Sequence, residues 1–440
     1  FSGNESNLIV RFRKRKQFFG FSDGVFSDSI IFWDWRFQNN PLVPIVGPTA
    51  TYTRSGNIFV FDQNLNWTVV PPNVPPIAAA PNGKIGLLLN NSYTNSITNN
   101  QSPPTSGFQI VKLSGNIAWY SFDLGRYSAD TNSGQHRIRI FNTSSVNVNS
   151  PQLVACIYKP TGANSQKVRI MIERANTGPT YIRLTYEIDL INKTASIVGG
   201  YDSNNITPAG AYVYSLPNGY YFVGAAASLP NLTNFLAFST FLWFPNAIGE
   251  FEYTGDGTTE LCLVGAHGLY QGQYFVPAPV LTTGSAVTVN ESYFRIPNND
   301  PFQQFTTNLE VVLPPNVYDG VRSYGPSKYA ELSFRVSANN NFTFGGVGIY
   351  DSEIWLPDVL IMPTTKTDVS IGYQLSSTLQ RGFLDGVFIN SKPANVTEGS
   401  TNPASHNYSF RSAGSAPTPF FIRRIWVTRG LINPRILMSY

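Results

Sequence analysis

A chain of 440 residues is long enough for two to three domains, each with a core of its own. Hydrophobic residues make up 42% and aromatics 14%, but charged residues only 13%, roughly half the usual share, so Asn, Ser, Thr, Gly and Tyr are left to keep the surface wet. A formal charge of +4 is too small for a nucleic-acid groove, and the best apolar run, Phe235 to Phe244, falls short of the roughly 18 residues that cross a membrane, which argues against membrane insertion.

Residues 1–40 open with a basic and aromatic run: Arg11, Arg13, Lys14, Arg15 and Lys16 alternate with or precede Phe12, Phe18 and Phe19. Three readings stay open for this arm: an anchor on a larger assembly, a solvated extension, or stacking on nucleic acid, with the anchor preferred. Residues 41–105 are rich in Pro and Asn, with Pro71-Pro72 and Pro75-Pro76 close together. Proline lacks the ladder donor, so this stretch is expected to be an extended connector rather than a source of central strands.

From residue 106 onward, apolar positions recur every second residue between Gly, Pro, Asn and Asp punctuation, the pattern of strands joined by turns. Strands are expected at Ile138 to Phe141, Lys167 to Glu173, Tyr181 to Leu190, Tyr220 to Val223 and Glu260 to Val264. Residues 106–290 form one such block. The polar passage Thr282 to Pro301 separates it from a second block, residues 291–440. There, strands are expected at Ala330 to Val336 and Ser370 to Leu375, and Asp385-Gly386 supplies a tight bend. Phe420 to Thr428 alternates apolar and basic residues, as a strand with one wet face would. After Asn433-Pro434 a short terminal helix can begin, with Ile436 and Leu437 packing back. The fold class is therefore all-β, with two β-sandwich domains and an extended N-terminal arm.

Little in the chain resembles a reactive centre. His136, His267 and His406 sit in no nucleophile or metal-ligand spacing, and Cys156 and Cys262 lie in alternating strands, where buried free thiols are preferred over a disulfide. No metal and no cofactor is implied, and no enzymatic activity is expected. Glycoside cleavage asks only for two carboxyl groups across a cleft. Glu250, Glu252, Asp256 and Glu260 form one acidic cluster, with Glu250 and Glu252 on one face by alternation, and Asp351, Glu353 and Asp358 another. A solvated sheet face and a turn at Asp256-Gly257 are the preferred reading over an acid pair. Sugar binding uses aromatic faces and neutral amides, and candidate platforms are Tyr270 and Tyr274 in the passage His267 to Phe275, and Tyr350 with Trp355 beside Asp351.

Four passages in order, TATYTRSGNI at Thr49 to Ile58, GLLLNNSYTN at Gly86 to Asn95, LPNGYYFVG at Leu216 to Gly224 and YTGDGTTELCLVGA at Tyr253 to Ala266, resemble a group of tailed-phage virion proteins with a jelly-roll carbohydrate-binding-like domain. Asn90 and Tyr93 stand where that group usually has Glu and Arg, so any salt bridge those residues make is missing here. Residues 301–440 look more loosely like a laminin-G or concanavalin-like sandwich, through GFLDGVFIN at Gly382 to Asn390 and the passage Phe421 to Leu437. The resemblance implies a head fibre, decoration or tail fibre component on the surface of a phage particle. Its partners would be other virion proteins of capsid or tail, copies of itself, and host surface glycans. Arg11, Arg13, Lys14, Arg15, Lys16, Phe18 and Phe19 would then anchor it. A jelly-roll capsid shell protein and a polysaccharide depolymerase are the rival readings.

Overall fold

The structure is a computed structural model that describes residues 29–35, 41–105, 108–109, 111–143, 150–161, 166–176, 181–198, 206–228, 235–297, 305–312, 322–324, 333–336, 342–346, 354–356, 368–375, 379–393, 407–411 and 419–438. The fold is all-β, built from antiparallel sheets, with one short α-helix at Pro434–Met438 among the described residues. Each of the eight strands expected above is present, and the largest difference is at Glu260–Gln271, which runs seven residues past its expected end.

Two sheets face one another in the middle of the chain. The first runs Thr207–Ser215, Tyr221–Ser228, Pro151–Pro160, Glu260–Gln271, Phe122–Ala129, Val111–Trp119, and the second runs Thr194–Ile197, Tyr181–Asp189, Lys167–Asn176, Phe235–Trp243, Arg137–Thr143, Phe108–Gln109. Between them Val154, Cys156, Ile170, Leu184, Val223 and Leu242 share one buried core. Successive side chains of a strand point to opposite faces, so Leu153, Ala155 and Ile157 leave Pro151–Pro160 on the other side. They are buried too, in a second core with Phe59, Phe61 and Trp67. The first sheet is thus covered on both faces, which accounts for the unbroken burial from Pro151 to Tyr158.

The cover comes from the Pro-rich passage. Ile58–Phe61 and Trp67–Val70 form a hairpin over the first sheet. Ile77–Ala79 and Ile85–Leu89 join the C-terminal sheet, with Ile85–Leu89 lying between Ile77–Ala79 and Phe420–Arg429 as an inner strand. The expectation that this stretch supplies no central strand is corrected here by Ile85–Leu89. The prolines fall between these strands, so the ladder donors are intact where pairing needs them. Buried amides complete the attachment: Asn95 donates to the Val280 carbonyl and accepts from the Leu269 N–H, while Asn100 donates to the carbonyls of His267 and Val280. Buried backbone groups that no neighbouring strand reaches thereby find partners. Asn90 donates to the Asn290 carbonyl, a neutral tie at the position where a salt bridge was missed.

The C-terminal sheet runs Val387–Pro393, Leu379–Leu384, Asp368–Leu375, Phe305–Val312, Phe420–Arg429, then the two connector strands, and Ser29–Asp34 also pairs with Phe420–Arg429. The last part of the N-terminal arm is therefore a sheet strand, with Trp33 and Trp35 buried. Asp385 and Gly386 both have positive φ in the bend between Leu379–Leu384 and Val387–Pro393, as the Asp-Gly pair suggested. Phe420–Arg429 has no wet face: Arg424 is fully buried and pairs with Glu310 at 2.7 Å, because the strand is central and covered on both sides. Leu437 packs against Phe32 and Trp426, as expected of the terminal helix. The passage 282–301 contributes Val287–Val289 and Tyr293–Pro297, the latter bridging Thr51–Thr53 to Asn407–Arg411.

Candidate functional site

Three turns meet at one end of the twice-covered sheet. In the first, between Ile58–Phe61 and Trp67–Val70, the Asp62 carboxylate accepts the backbone N–H groups of Asn64 and Asn66, both at 2.8 Å, and Leu65 is left-handed at φ 63°. The second is the tight reversal Trp119-Tyr120-Ser121-Phe122, in which Tyr120 has φ 52°. In the third, closed by the Leu216 N–H on the Tyr220 carbonyl at 2.8 Å, Asn218 has φ 61°.

A left-handed conformation costs a residue with a Cβ roughly 1–2 kcal/mol. Asn tolerates it; a leucine and a tyrosine do so rarely. Backbone strain of this kind collects at ligand sites, where the surrounding structure holds it in place. Here three such residues surround one groove of about 270 Å³, lined by Asn66, Trp119, Tyr120, Asn218 and Tyr220 together with small apolar groups and no charged side chain.

The aromatic floor is locked from below. Trp67 donates its indole N–H to the Pro279 carbonyl at 2.9 Å and packs edge-on to Phe122 with centroids 5.2 Å apart. Trp119 meets Tyr120 edge-on at 4.8 Å and Tyr220 at 6.1 Å. Tyr120 is 52% exposed, the aromatic most open to solvent in this group. Its hydroxyl donates to the Asn66 side-chain oxygen at 2.9 Å. Burial pushes the Tyr220 phenol up, with Arg126 opposing, so it stays a neutral donor and acceptor at physiological pH. Rings and amides presented side by side suit a pyranose, which offers C–H groups on its faces and hydroxyls around its rim.

A larger cavity of about 460 Å³ lies beside Arg54, Asn73, Glu291 and Tyr293. Arg54 is buried and donates to the carbonyls of Gly56, Val70 and Pro71 and to the Tyr52 hydroxyl, so its guanidinium holds the connector together.

Most residues singled out from the sequence fall elsewhere. Tyr270 is fully buried, meets Tyr93 edge-on and accepts the Val280 N–H at 3.2 Å, and Tyr274 is 8% exposed in the same core. As sugar platforms both are corrected: Glu260–Gln271 is one long strand, and alternation sends Tyr270 inward. Trp355 lies in the strand Ile354–Leu356, and Tyr350, Asp351, Glu353 and Asp358 lie outside the described residues, as do Arg11, Arg13, Lys14, Arg15, Lys16, Phe18, Phe19 and His406.

The acidic cluster is dispersed into local roles. Glu250 sits in a turn and accepts from Asn246, Glu252 begins a strand and accepts from Gln135, and Asp256 accepts the N–H groups of Thr258 and Thr259. The Thr259 hydroxyl, together with those N–H groups, holds the Asp256 carboxyl well below the usual carboxylate range. Cys156 and Cys262 are free and share the inter-sheet core, where burial pushes both thiols up. His136 stacks on Tyr253 with centroids 3.8 Å apart, and burial holds the buried His267 at about 4.

Trp119, Tyr120, Asn66 and Asn218 were not picked out as a site from the sequence, although Asn218 and Tyr220 stood in a motif. The available signal was a Trp-Tyr pair occupying a turn, where Gly, Asn or Asp is usual.

No family model and no curated protein matches the chain. Among solved structures, domains LG4-5 of the mouse laminin α1 chain show 11% identity, covering 68% of this chain and 88% of that one, with a TM-score of 0.22. Trypanosoma rangeli sialidase in complex with 2,3-difluorosialic acid shows 12% identity over 73% of this chain and 61% of that one, TM-score 0.23. The Bacteroides ovatus xyloglucan PUL GH43B protein shows 10% identity over 86% and 98%, TM-score 0.20. Likenesses this slight carry no argument, and the fold description rests on the chain's own sheets.

Proposed function

We propose that this chain is a non-enzymatic, carbohydrate-binding β-sandwich protein, displayed on the surface of a bacteriophage particle, that engages host glycans through the groove formed by Asn66, Trp119, Tyr120, Asn218 and Tyr220. One observation carries the reading: three turns distant in sequence, each strained at a residue with a Cβ, converge to present aromatic rings beside neutral amides. The composition supports it, since an uncharged polar exterior suits weak contacts with neutral hydroxyls, multiplied across many copies on one particle. The virion setting rests on the sequence resemblance, with Arg11, Arg13, Lys14, Arg15, Lys16, Phe18 and Phe19 as the residues that would anchor the chain to capsid or tail. Neither Glu250 nor Glu252 lines the groove, which favours binding over cleavage.

A glycan array followed by isothermal titration tests this. Saccharide binding is expected in the range of about 0.1–1 mM per site, lost at least tenfold in Trp119→Ala with the fold intact by circular dichroism. Release of reducing sugar from a bound polysaccharide would replace the reading with the depolymerase one. Absence of saccharide binding, with the chain located in the closed shell of a particle, would replace it with the capsid one.

A further inference from the structure

We infer that the groove selects sugars bearing a carboxylate, such as uronic or nonulosonic acids, through Lys159; this rests on the groove being a saccharide site. Lys159 lies at the end of Pro151–Pro160, and alternation places it on the same side as Leu153, Ala155 and Ile157, the side the groove hairpins cover. Its ammonium sits 4.6 Å from the centroid of the Tyr220 ring, a groove wall. An ammonium held on a ring face keeps donors available to a second partner and is easily drawn onto an anion, because the ring replaces only part of its water.

Two of the neighbouring charges are committed elsewhere. Arg126, the cation that acts on the Tyr220 phenol, is paired with Glu260 at 3.2 Å. Asp62, which touches Asn66, spends one carboxylate oxygen on the N–H groups of Asn64 and Asn66, and its other oxygen faces the Asn66 amide. A ligand settled on Trp119 and Tyr120 therefore meets an uncharged lining, with the Lys159 ammonium beside its Tyr220 wall. A pyranose with a carboxylate on its ring carbon projects that group from the ring's rim, where a lysine beside the platform reaches it, and a charge-assisted hydrogen bond then adds to the stacking.

The experiment pairs uronate and neuraminate oligosaccharides with their carboxyl-reduced counterparts, which keep the ring and lose the charge. Wild-type protein is expected to bind the acidic member about 3- to 10-fold more tightly, with the gap narrowing as salt rises. Lys159→Gln is expected to abolish the gap without weakening the reduced sugars, and Lys159→Arg to keep it. Equal binding of both members, still lost in Trp119→Ala, would overturn the selectivity and leave the saccharide site standing. A gap that persists in Lys159→Gln would likewise overturn it. Binding of neither member would overturn both.

Discussion

The Tyr120 hydroxyl hydrogen-bonds to the Asn66 side-chain oxygen at 2.9 Å and so ties together two turn tips 54 residues apart in sequence. The bond is exposed, so its net contribution to folding is small, about 0.5–1.5 kcal/mol at most. Its larger effect is to hold an aromatic ring upright at the groove edge, where a free tyrosine would sample several rotamers.

The left-handed Tyr120 yields a pair of substitutions with opposite readouts. Tyr120→Ala keeps the backbone cost and loses the ring, whereas Tyr120→Gly loses the ring and relieves the cost. Tyr120→Gly is expected to be about 1 kcal/mol more stable than Tyr120→Ala in urea unfolding, and both are expected to lose saccharide binding. Equal stabilities would show that the turn relaxes when the ring is gone.

Acid stability depends on His267, which burial holds at about 4, below the ordinary value of 6.5. The unfolded chain takes up a proton at this residue as pH drops below 6.5, and the folded chain resists until about 4. Stability from this source is fully present above 6.5 and is lost as pH falls through that window, by up to about 3 kcal/mol. The pH dependence of urea midpoints between 7 and 4 should therefore be steeper for wild type than for His267→Gln. His136 is shifted the same way by burial and keeps part of the slope in the variant. Parallel curves would refute the assignment.

Gly224 lies opposite Tyr212 across two strands of the first sheet, with the phenol ring folded over it. A Cβ there would meet ring carbons at 2.5 Å. Gly224→Ala is expected to cost about 1–3 kcal/mol by displacing that ring, measured as a lowered urea midpoint with an unchanged slope. A neutral result would mean that Tyr212 has room to turn, which its burial against Phe222 and Phe275 argues against.

Strands were legible in the chain because alternation is local: Lys167–Asn176 sets Val168, Ile170 and Ile172 two apart, and all three lie in the inter-sheet core. The Asp385-Gly386 bend and the helix after Asn433-Pro434 were legible for the same reason, since turn and cap preferences are properties of adjacent residues. Burial of both faces was not. Phe420–Arg429 alternates like a half-wet strand, yet Arg424 is buried on Glu310, because its second face is closed by elements remote in sequence.

The amino-acid sequence by itself determined the all-β class, the sparsely charged exterior and the burial of the two cysteines, each set by composition or by a period of two. Only the tertiary structure decided the groove. Asn66, Trp119, Tyr120, Asn218 and Tyr220 belong to three separate turns, and no local pattern records which turn tips share an end of a sandwich. It also withdrew Tyr270 and Tyr274 as platforms, because whether an aromatic in a strand faces solvent depends on what lies over the sheet, and here the Pro-rich passage lies over it.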